Sequence, residues 1–376
     1  MHEAVLTSLD RGPVLSYLNN RALAGAGSFK DDRRMRYAQE TCGNAPLNQR
    51  SAPANAPLVA TIVLNWNNTS DTLRCVAAAA ETEYPNQRIY LFNNGADVAS
   101  RAALSALSDT TTMLESPVNL GYTGGNNAAI RRALDDGADY VWLLNSDAVA
   151  GPSVLGALVA TAEGDPQIGI VSPLIGDPAR DPRFEFAGAV VDLANCLIES
   201  TIDREAGREM QARFPDRFIL VGTGMLVRRA LIEQIGLLDD RLFAYYEDTD
   251  YSIRCILAGF RNRIRFDTEL YHRGKPLVRE PHAYYYMNRN AILLWRKVAG
   301  RRGKRRAIAD VAHRALRDVE RFGKDHPRQA EAALAGLWDG MLGRTGQYMP
   351  TRRMPRPMEL MLRARPTLFR KMLDHI

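Results

Sequence analysis

The chain has 376 residues, of which 46% are hydrophobic and 24% charged, an ordinary soluble composition, long enough for one large α/β domain with an appendage or for two domains. Its formal net charge of +6 is concentrated in the run Arg296, Lys297, Arg301, Arg302, Lys304, Arg305 and Arg306, which suits phosphate groups, an anionic membrane surface or a solvated helix end; the run lacks interleaved aromatics, so nucleic acid is not an expected partner. Four widely spaced cysteines, Cys42, Cys75, Cys196 and Cys255, form no zinc pattern, and with neither a signal-peptide plan nor a bilayer-long apolar stretch the expected location is a reducing cytoplasm, any contact with the inner face of the plasma membrane being peripheral.

Residues 1–57 show weak periodicity and end in an Ala-, Pro- and Asn-rich stretch from Ser51 to Pro57, so they read as an extension and linker. From Leu58 strands and helices alternate. Val59 to Leu64 is a continuous β-branched and apolar run, as a strand covered on both faces requires. Thr69 or Ser70 caps a helix through Leu73, Val76 and Ala80, broken by Pro85 and Asn86. Ile89 to Phe92 is a second buried strand, Ala102 to Leu107 a helical segment, and Thr112 to Glu115 a short strand. Gly124 and Gly125 open a helix from Asn126 to Leu134, and Tyr140 to Leu144 is another buried strand. This alternation predicts a parallel sheet with helices on its faces and ligands at the carboxyl ends of its strands.

Beyond the apolar run from Ile168 to Ile175 the pattern changes. Pro182 to Arg217 reads as a polar, irregular insertion, and Phe218 to Val227 as one strand interrupted by Gly222 and Gly224. Helices follow near Arg229 to Gln234 and from Glu247 to Gly259, and Ile264 to Phe266 is strand-like. The chain is then helical from Tyr284 to Phe322, and a Pro- and Arg-rich tail follows Met349. Within that last helix Ile308, Val311, Ala312, Ala315, Val319 and Phe322 recur at helical spacing with arginines between them. The stripe fits either an interfacial membrane helix or packing onto the rest of the chain.

Five constellations could carry chemistry. Asn145-Ser146-Asp147 ends a buried strand, where a carboxylate is a natural oxygen ligand for Mg2+ or Mn2+; the alternative is a turn in which Asp147 caps a later helix. Glu247 and Asp248, with Asp250, crowd three carboxylates into a first helical turn, whose amides favour negative charge. Asp248 suits a general base for a hydroxyl there, and acidic capping is the plainer reading. His272 is a metal ligand or a satisfied core residue. The loop Asn119 to Asn127, with Gly121, Gly125 and Asn126, lets backbone approach a phosphate at a helix N-terminus, or is simply a tight strand-to-helix turn. It is neither a dinucleotide fingerprint nor a Walker A loop, so nicotinamide cofactors and ATP are not indicated. Asn65, Asn67 and Asn93 sit at strand ends where a nucleoside could be held, although Asn also favours turns.

In their order along the chain these elements resemble the family 2 glycosyltransferases of the GT-A fold, and within them the rhamnosyltransferase-like branch. The resemblance runs from about Val59 to Trp295. It rests on Asn119 to Ala128, Leu143 to Asp147, and Gly222 to Gly259, with Tyr246-Glu247-Asp248-Thr249-Asp250 in the last stretch. It implies a Rossmann-like, mostly parallel sheet flanked by helices over 58–295, divided into a nucleotide-binding half (58–150) and an acceptor half (151–295). A basic helical appendage, 296–376, follows. It further implies that Asp147 and His272 hold a divalent cation, that Asn145 faces the ribose or sugar, and that Glu247 and Asp248 form the acceptor-site acidic pair with Asp248 as base. Asn65, Asn67 and Asn93 then line the nucleoside loops. Asn93 stands where the family usually has Asp; its amide still accepts from and donates to a pyrimidine edge.

The expected reaction is an inverting transfer of a sugar, with L-rhamnose suggested by the branch, from a dTDP- or UDP-sugar to a hydroxyl of a cell-surface glycan, free or lipid-linked. A nucleotidyltransferase would need glycine and lysine in the Asn65-Trp66-Asn67-Asn68 loop. A non-catalytic carbohydrate-binding scaffold would have no use for Asp147, Asp248 and His272 together.

Overall fold

A computed structural model describes residues 56–95, 97–177, 184–272 and 278–364. The extension at 1–55, with Cys42, and the last twelve residues lie outside this set. The first half alternates as its periodicity demands: β1 (Val59–Asn65), α1 (Thr69–Ala80), β2 (Gln87–Asn94), α2 (Val98–Ser105), β3 (Thr112–Ser116), α3 (Gly121–Asp135) and β4 (Tyr140–Asn145). These strands pair in parallel in the order β3-β2-β1-β4. β1 is buried on both faces because Ala60 and Ile62 pack with Ala129, Ile130 and Ala133 of α3, while Val59 and Val63 pack with Cys75, Val76 and Ala79 of α1. Two apolar layers therefore sandwich the sheet, the arrangement that an unbroken apolar strand predicts.

The second half departs from the all-parallel expectation. It comprises β5 (Ala148–Ala150), α4 (Val154–Glu163), β6 (Ile168–Gly176), β7 (Phe184–Phe186), β8 (Gly188–Asp192), β9 (Leu197–Thr201), α5 (Arg204–Arg213), β10 (Phe218–Ile219), β11 (Gly224–Arg228), α6 (Arg229–Ile235), α7 (Glu247–Leu257) and β12 (Arg261–His272). β11 runs antiparallel to both β4 and β6, and β12 is parallel to β6 but antiparallel to β5. The main sheet is thus mixed, in the order β3-β2-β1-β4-β11-β6-β12-β5. The segment read as one strand across Gly222 is two short strands in different sheets. The expected irregular insertion is largely an ordered three-stranded antiparallel sheet, β10-β8-β9, with α5 against it. Its alternation (Ala187, Ala189 and Val191 buried) spans too few residues for a period of two to stand out.

The C-terminal region is α8 (Pro281–Phe322), α9 (Pro327–Leu342) and α10 (Arg356–Ala364). α8 is two helices joined at a kink, where Ala299 and Gly300 leave helical geometry, Gly300 at φ 58°. The boundary placed after Trp295 falls inside its first segment. The stripe from Ile308 to Phe322 is buried in the main core, so it packs internally, and the apolar face required of an interfacial helix is already consumed. No helix among the described residues is long and apolar enough to cross a membrane. Cys75, Cys196 and Cys255 are free and buried, and burial pushes the Cys255 thiol up to about 12.

Candidate active site

The strand register carries chemistry to one edge of the sheet. Asn65 lies beside Asn93, and Leu64 beside Asn145, so three asparagines end adjacent parallel strands. Beyond Asn145 the chain turns into β5, whose Ala148 pairs with His272 at the end of β12. That pairing, made across more than a hundred residues, brings His272 to Asp147, with Nε2 3.3 Å from Oδ1. On its other side His272 Nδ1 is 3.1 Å from Oε2 of Glu185 on β7. From the opposite direction β11 enters beside β4: the Asn145 amide donates to the Thr223 carbonyl at 3.1 Å. The preceding Gly222 amide donates to Oδ2 of Asp248 at 2.9 Å, while the Thr249 amide donates to its Oδ1 at 2.6 Å.

These groups open onto one cleft of about 700 Å³, whose lining includes Asn145, Asp147, His272, Glu247, Asp248 and Gly121. Tyr122 sits among the three carboxylates. Burial drives its phenol well above the usual tyrosine range, and the charges of Glu247, Asp248 and Asp147 push the same way. It remains a hydrogen-bond donor, 3.2 Å from the Gly222 carbonyl. Asp147 does not cap a helix: α4 begins at Val154 after Ser153.

Other expected residues lie beside or beneath the cleft. Asn65 and Asn93 are buried and bonded to each other, Asn65 Nδ2 donating to Asn93 Oδ1 at 3.0 Å, while Thr72 donates to Asn65 Oδ1 at 2.9 Å. Asn126 is 2% exposed and donates to the Tyr122 carbonyl at 2.8 Å. Asn67 is exposed with φ 53°. The helix expected to open at Gly124-Gly125 begins at Gly121, where φ is +78° and a Cβ would meet the Phe243 carbonyl at 2.5 Å. Gly125 serves packing, since a Cβ there would stand 2.4 Å from Leu64 Cδ1. Asp250 belongs to the fold: it is fully buried and paired with Arg254 at 2.8 Å and Lys297 at 2.6 Å. Lys297 thereby leaves the expected basic surface run.

Several lining residues were not named as site residues from the sequence, although Asn94 and Trp66 lie in the strand-end loops singled out there. Asn94 donates to Asn119 Oδ1 and to the Gly121 carbonyl, each at 3.0 Å, and accepts from the Leu120 amide, locking the loop before α3. Trp66, Phe243, Tyr245, His282, Tyr286 and Tyr348 form an aromatic wall, with Phe243 stacked on Tyr286 at 5.3 Å and Trp66 edge-on to His282 at 5.6 Å. Tyr348 and Gln347 come from the C-terminal region, just ahead of the segment read as a tail. Asp339 anchors that segment, accepting from Tyr285 at 2.7 Å, Arg344 at 3.0 Å and Arg352 at 2.6 Å.

The residues before the acidic pair are strained. Phe243, Tyr245 and Tyr246 have φ of 65°, 69° and 71°, a region bulky side chains avoid, at about 1–3 kcal/mol each. The cost is offset from α8, where Arg289 and Asn290, both fully buried, donate to the carbonyls of this loop. Asn290 Nδ2 reaches Leu242, Ala244 and Tyr245 at 2.9, 2.8 and 2.7 Å. Arg289 Nη2 reaches Leu242 at 2.7 Å, and its Nη1 donates to the Gly346 carbonyl.

Asp147 and His272 fit a divalent cation. In the tautomer that donates Nδ1–H to Glu185, the Nε2 lone pair faces the Asp147 carboxylate, and a proton or a cation has to lie between two such groups. Asn145 adds a buried side-chain oxygen without a hydrogen-bond partner among the described residues. No group of three or more His, Cys, Asp or Glu side chains among the described residues encloses an ion site. Such a site is open, and its remaining ligands would come from a bound diphosphate and water.

Comparison with known proteins follows this geometry. The family described as "Glycosyltransferase like family 2" matches residues 56–274. The chain is 32% identical over 185 residues to a galactofuranosyltransferase of Mycobacterium tuberculosis, covering 48% of this chain and 58% of that protein. It thus spans little more than half the length of that relative. An N-acetylglucosaminyl-diphospho-decaprenol L-rhamnosyltransferase of the same organism is 28% identical over 218 residues, covering 53% of this chain and 71% of that one. A dTDP-rhamnosyl transferase of Shigella flexneri is 24% identical over 190 residues, covering 48% and 61%. Among solved structures, a mannosyltransferase from Pyrobaculum calidifontis in complex with GDP-mannose and Mn2+ superposes with a TM-score of 0.52 at 14% identity, covering 83% of this chain and 95% of that chain. The sheet flanked by helices, with its C-terminal helical segment, is of the GT-A-like type.

Proposed function

This chain belongs to the glycosyltransferase-like family 2, and from that premise we propose that it transfers a sugar from a nucleoside-diphosphate donor to a hydroxyl acceptor by a single inverting displacement. The observation that carries the reading is the meeting of Asp147, Asp248 and His272, from three distant parts of the chain, in one cleft. A divalent cation held by Asp147 and His272 would supply charge neutralisation at the donor diphosphate. The N-terminus of α3, beginning at Gly121, borders the same phosphates; the Leu120, Gly121 and Thr123 amides are already donated to Asn94, Asn119 and Phe243, so what it contributes is the positive end of its helix dipole. Asn145 lines the same cleft and faces the ribose or sugar. Asn65 and Asn93 act on the donor indirectly, by fixing the strand ends that carry the nucleoside loops, with Asn67 on the exposed turn.

Asp248 takes the proton of the acceptor hydroxyl as that oxygen attacks the anomeric carbon. The Gly222 and Thr249 amides hold its carboxylate in orientation, and Glu247 beside it positions the acceptor. The aromatic wall suits the apolar face of a sugar ring. We assign the acceptor as a glycan, lipid-linked by analogy with the decaprenol-linked relative, and the donor as dTDP-L-rhamnose, with UDP-sugars next. The catalytic unit then runs from residue 58 to about Pro350, because the tail closes the cleft.

A panel of dTDP-, UDP- and GDP-sugars, each with and without Mn2+, tests the reading by thermal melting and by release of nucleoside diphosphate. One donor is expected to raise the melting temperature in a metal-dependent way and to be slowly hydrolysed. Neither stabilisation nor hydrolysis across the whole panel would refute it.

A further inference from the structure

We propose that Arg289 and Asn290 are positioning residues for the transfer reaction, a clamp on α8 that holds the acidic pair in its working place. The proposal rests on Asp248 being the base. Asp248 stands two residues after Tyr246, the last of three left-handed aromatic residues, Phe243, Tyr245 and Tyr246, a backbone path that local sequence does not favour and that relaxes unless held from outside. The holding groups are two adjacent, fully buried side chains. Together they donate to the carbonyls of Arg241, Leu242, Ala244 and Tyr245. From the far side, the Thr123 amide of α3 donates to the Phe243 carbonyl at 3.1 Å. Nearly every backbone acceptor of the loop is therefore engaged, and α8 supplies most of the donors.

Arg289 does a second thing. Its Nη1 donates to the Gly346 carbonyl, one residue before Gln347 and Tyr348, which line the cleft. The guanidinium thus ties the approach to the base and the tail segment to one rigid point. Its planar fork allows this; a lysine ammonium at the same place could not span both. Displacing a catalytic group by about 1 Å costs on the order of 10²-fold in rate. The clamp acts on the acceptor side; it meets the donor side through Phe243, which lies against the start of α3, while the strand ends of β1 to β4 are fixed by their own pairing.

The test compares full-length wild type with Asn290→Ala and, as the milder change, Arg289→Lys. Three readouts are taken: kcat with the donor found in the panel, affinity for dTDP or UDP with Mn2+ by calorimetry, and amide hydrogen exchange over residues 242–249. The clamp predicts that kcat falls on the order of 10²-fold in Asn290→Ala and about tenfold in Arg289→Lys. Nucleotide affinity should stay within about threefold, and exchange should speed up in 242–249 but not along α8. Should Asn290→Ala fail to fold, Arg289→Lys decides. Unchanged kcat and exchange, or nucleotide affinity falling in step with kcat, would overturn the clamp. Wild-type protein that turns over no donor would instead overturn the functional reading, and the exchange readout would still decide whether the clamp exists.

Discussion

The two sides of the cleft are built on opposite principles. On the donor side, polar side chains satisfy one another locally. Asn65, Asn93 and Thr72 form a closed buried set, and Asn94 with Asn119 secures the loop before α3; Asn67 alone among the described non-glycine residues of β1 to β4 and their loops has a left-handed φ. On the acceptor side, Asp248 follows closely on a strained, mostly aromatic run whose carbonyls are held by side chains 45 to 48 residues away. Parallel strands place donor-binding loops as a by-product of their register. The acceptor side has no such frame, because β11 breaks the parallel order, and it must be held by the C-terminal helices.

If this contrast is right, changes on the acceptor side should alter rate and changes on the donor side should alter affinity. Asp248→Asn is the largest case. Removing a general base costs on the order of 10²–10⁴ in kcat, with donor affinity by calorimetry retained; near-normal turnover would remove Asp248 from the mechanism. The next effect concerns the stability of the clamping helix. Asp318, on α8, has its carboxyl pushed up to about 6 by burial, partly countered by Arg314, Arg317 and Arg321. A carboxyl whose folded pKa lies above its unfolded value binds its proton more tightly when folded, so stability falls as pH rises from about 4 to about 6, in total by about 3 kcal/mol. Urea titrations across that range should show this component in wild type and lose it in Asp318→Asn. Equal pH slopes in the two proteins would place Asp318 in water rather than in the core.

The same contrast governs how far the sequence could be read. β1 to β4 and their helices follow from local apolar periodicity, and the same pattern places Asp147 and Asp248 at element boundaries, just after β4 and in the first turn of α7. His272 could be singled out from the residues as a metal ligand or a core residue, but only a family resemblance joined it to Asp147, since its approach depends on β5 pairing with β12. Arg289 and Asn290 were invisible. They lie inside a helical pattern, and their partners are backbone carbonyls, which leave no trace in side-chain identity. The β8-β9-β10 sheet was missed because strands of two to five residues are too short for alternation to register. Tyr348 was missed because it lies past the last helical pattern, just ahead of a Pro- and Arg-rich stretch that reads as a tail unless Asp339 is known to anchor it.

The donor-side predictions are smaller and sharpen the contrast. Asp147→Ala should weaken binding of the nucleotide-sugar by at least about tenfold in Mn2+, and chelation with EDTA should bring wild type down to the variant. Unchanged affinity in calorimetry would detach Asp147 from the metal. Smallest of all is Asn65→Ala. It leaves Asn93 Oδ1 without its donor in a site closed to water, at a cost of about 1–3 kcal/mol in urea unfolding. Its effect on donor affinity should stay within about threefold, because the neighbouring main-chain pairing of β1 with β2 and β4 still fixes the strand ends. If affinity instead collapsed while stability held, Asn65 would be touching the donor, and the donor side would be as dependent on individual side chains as the acceptor side is.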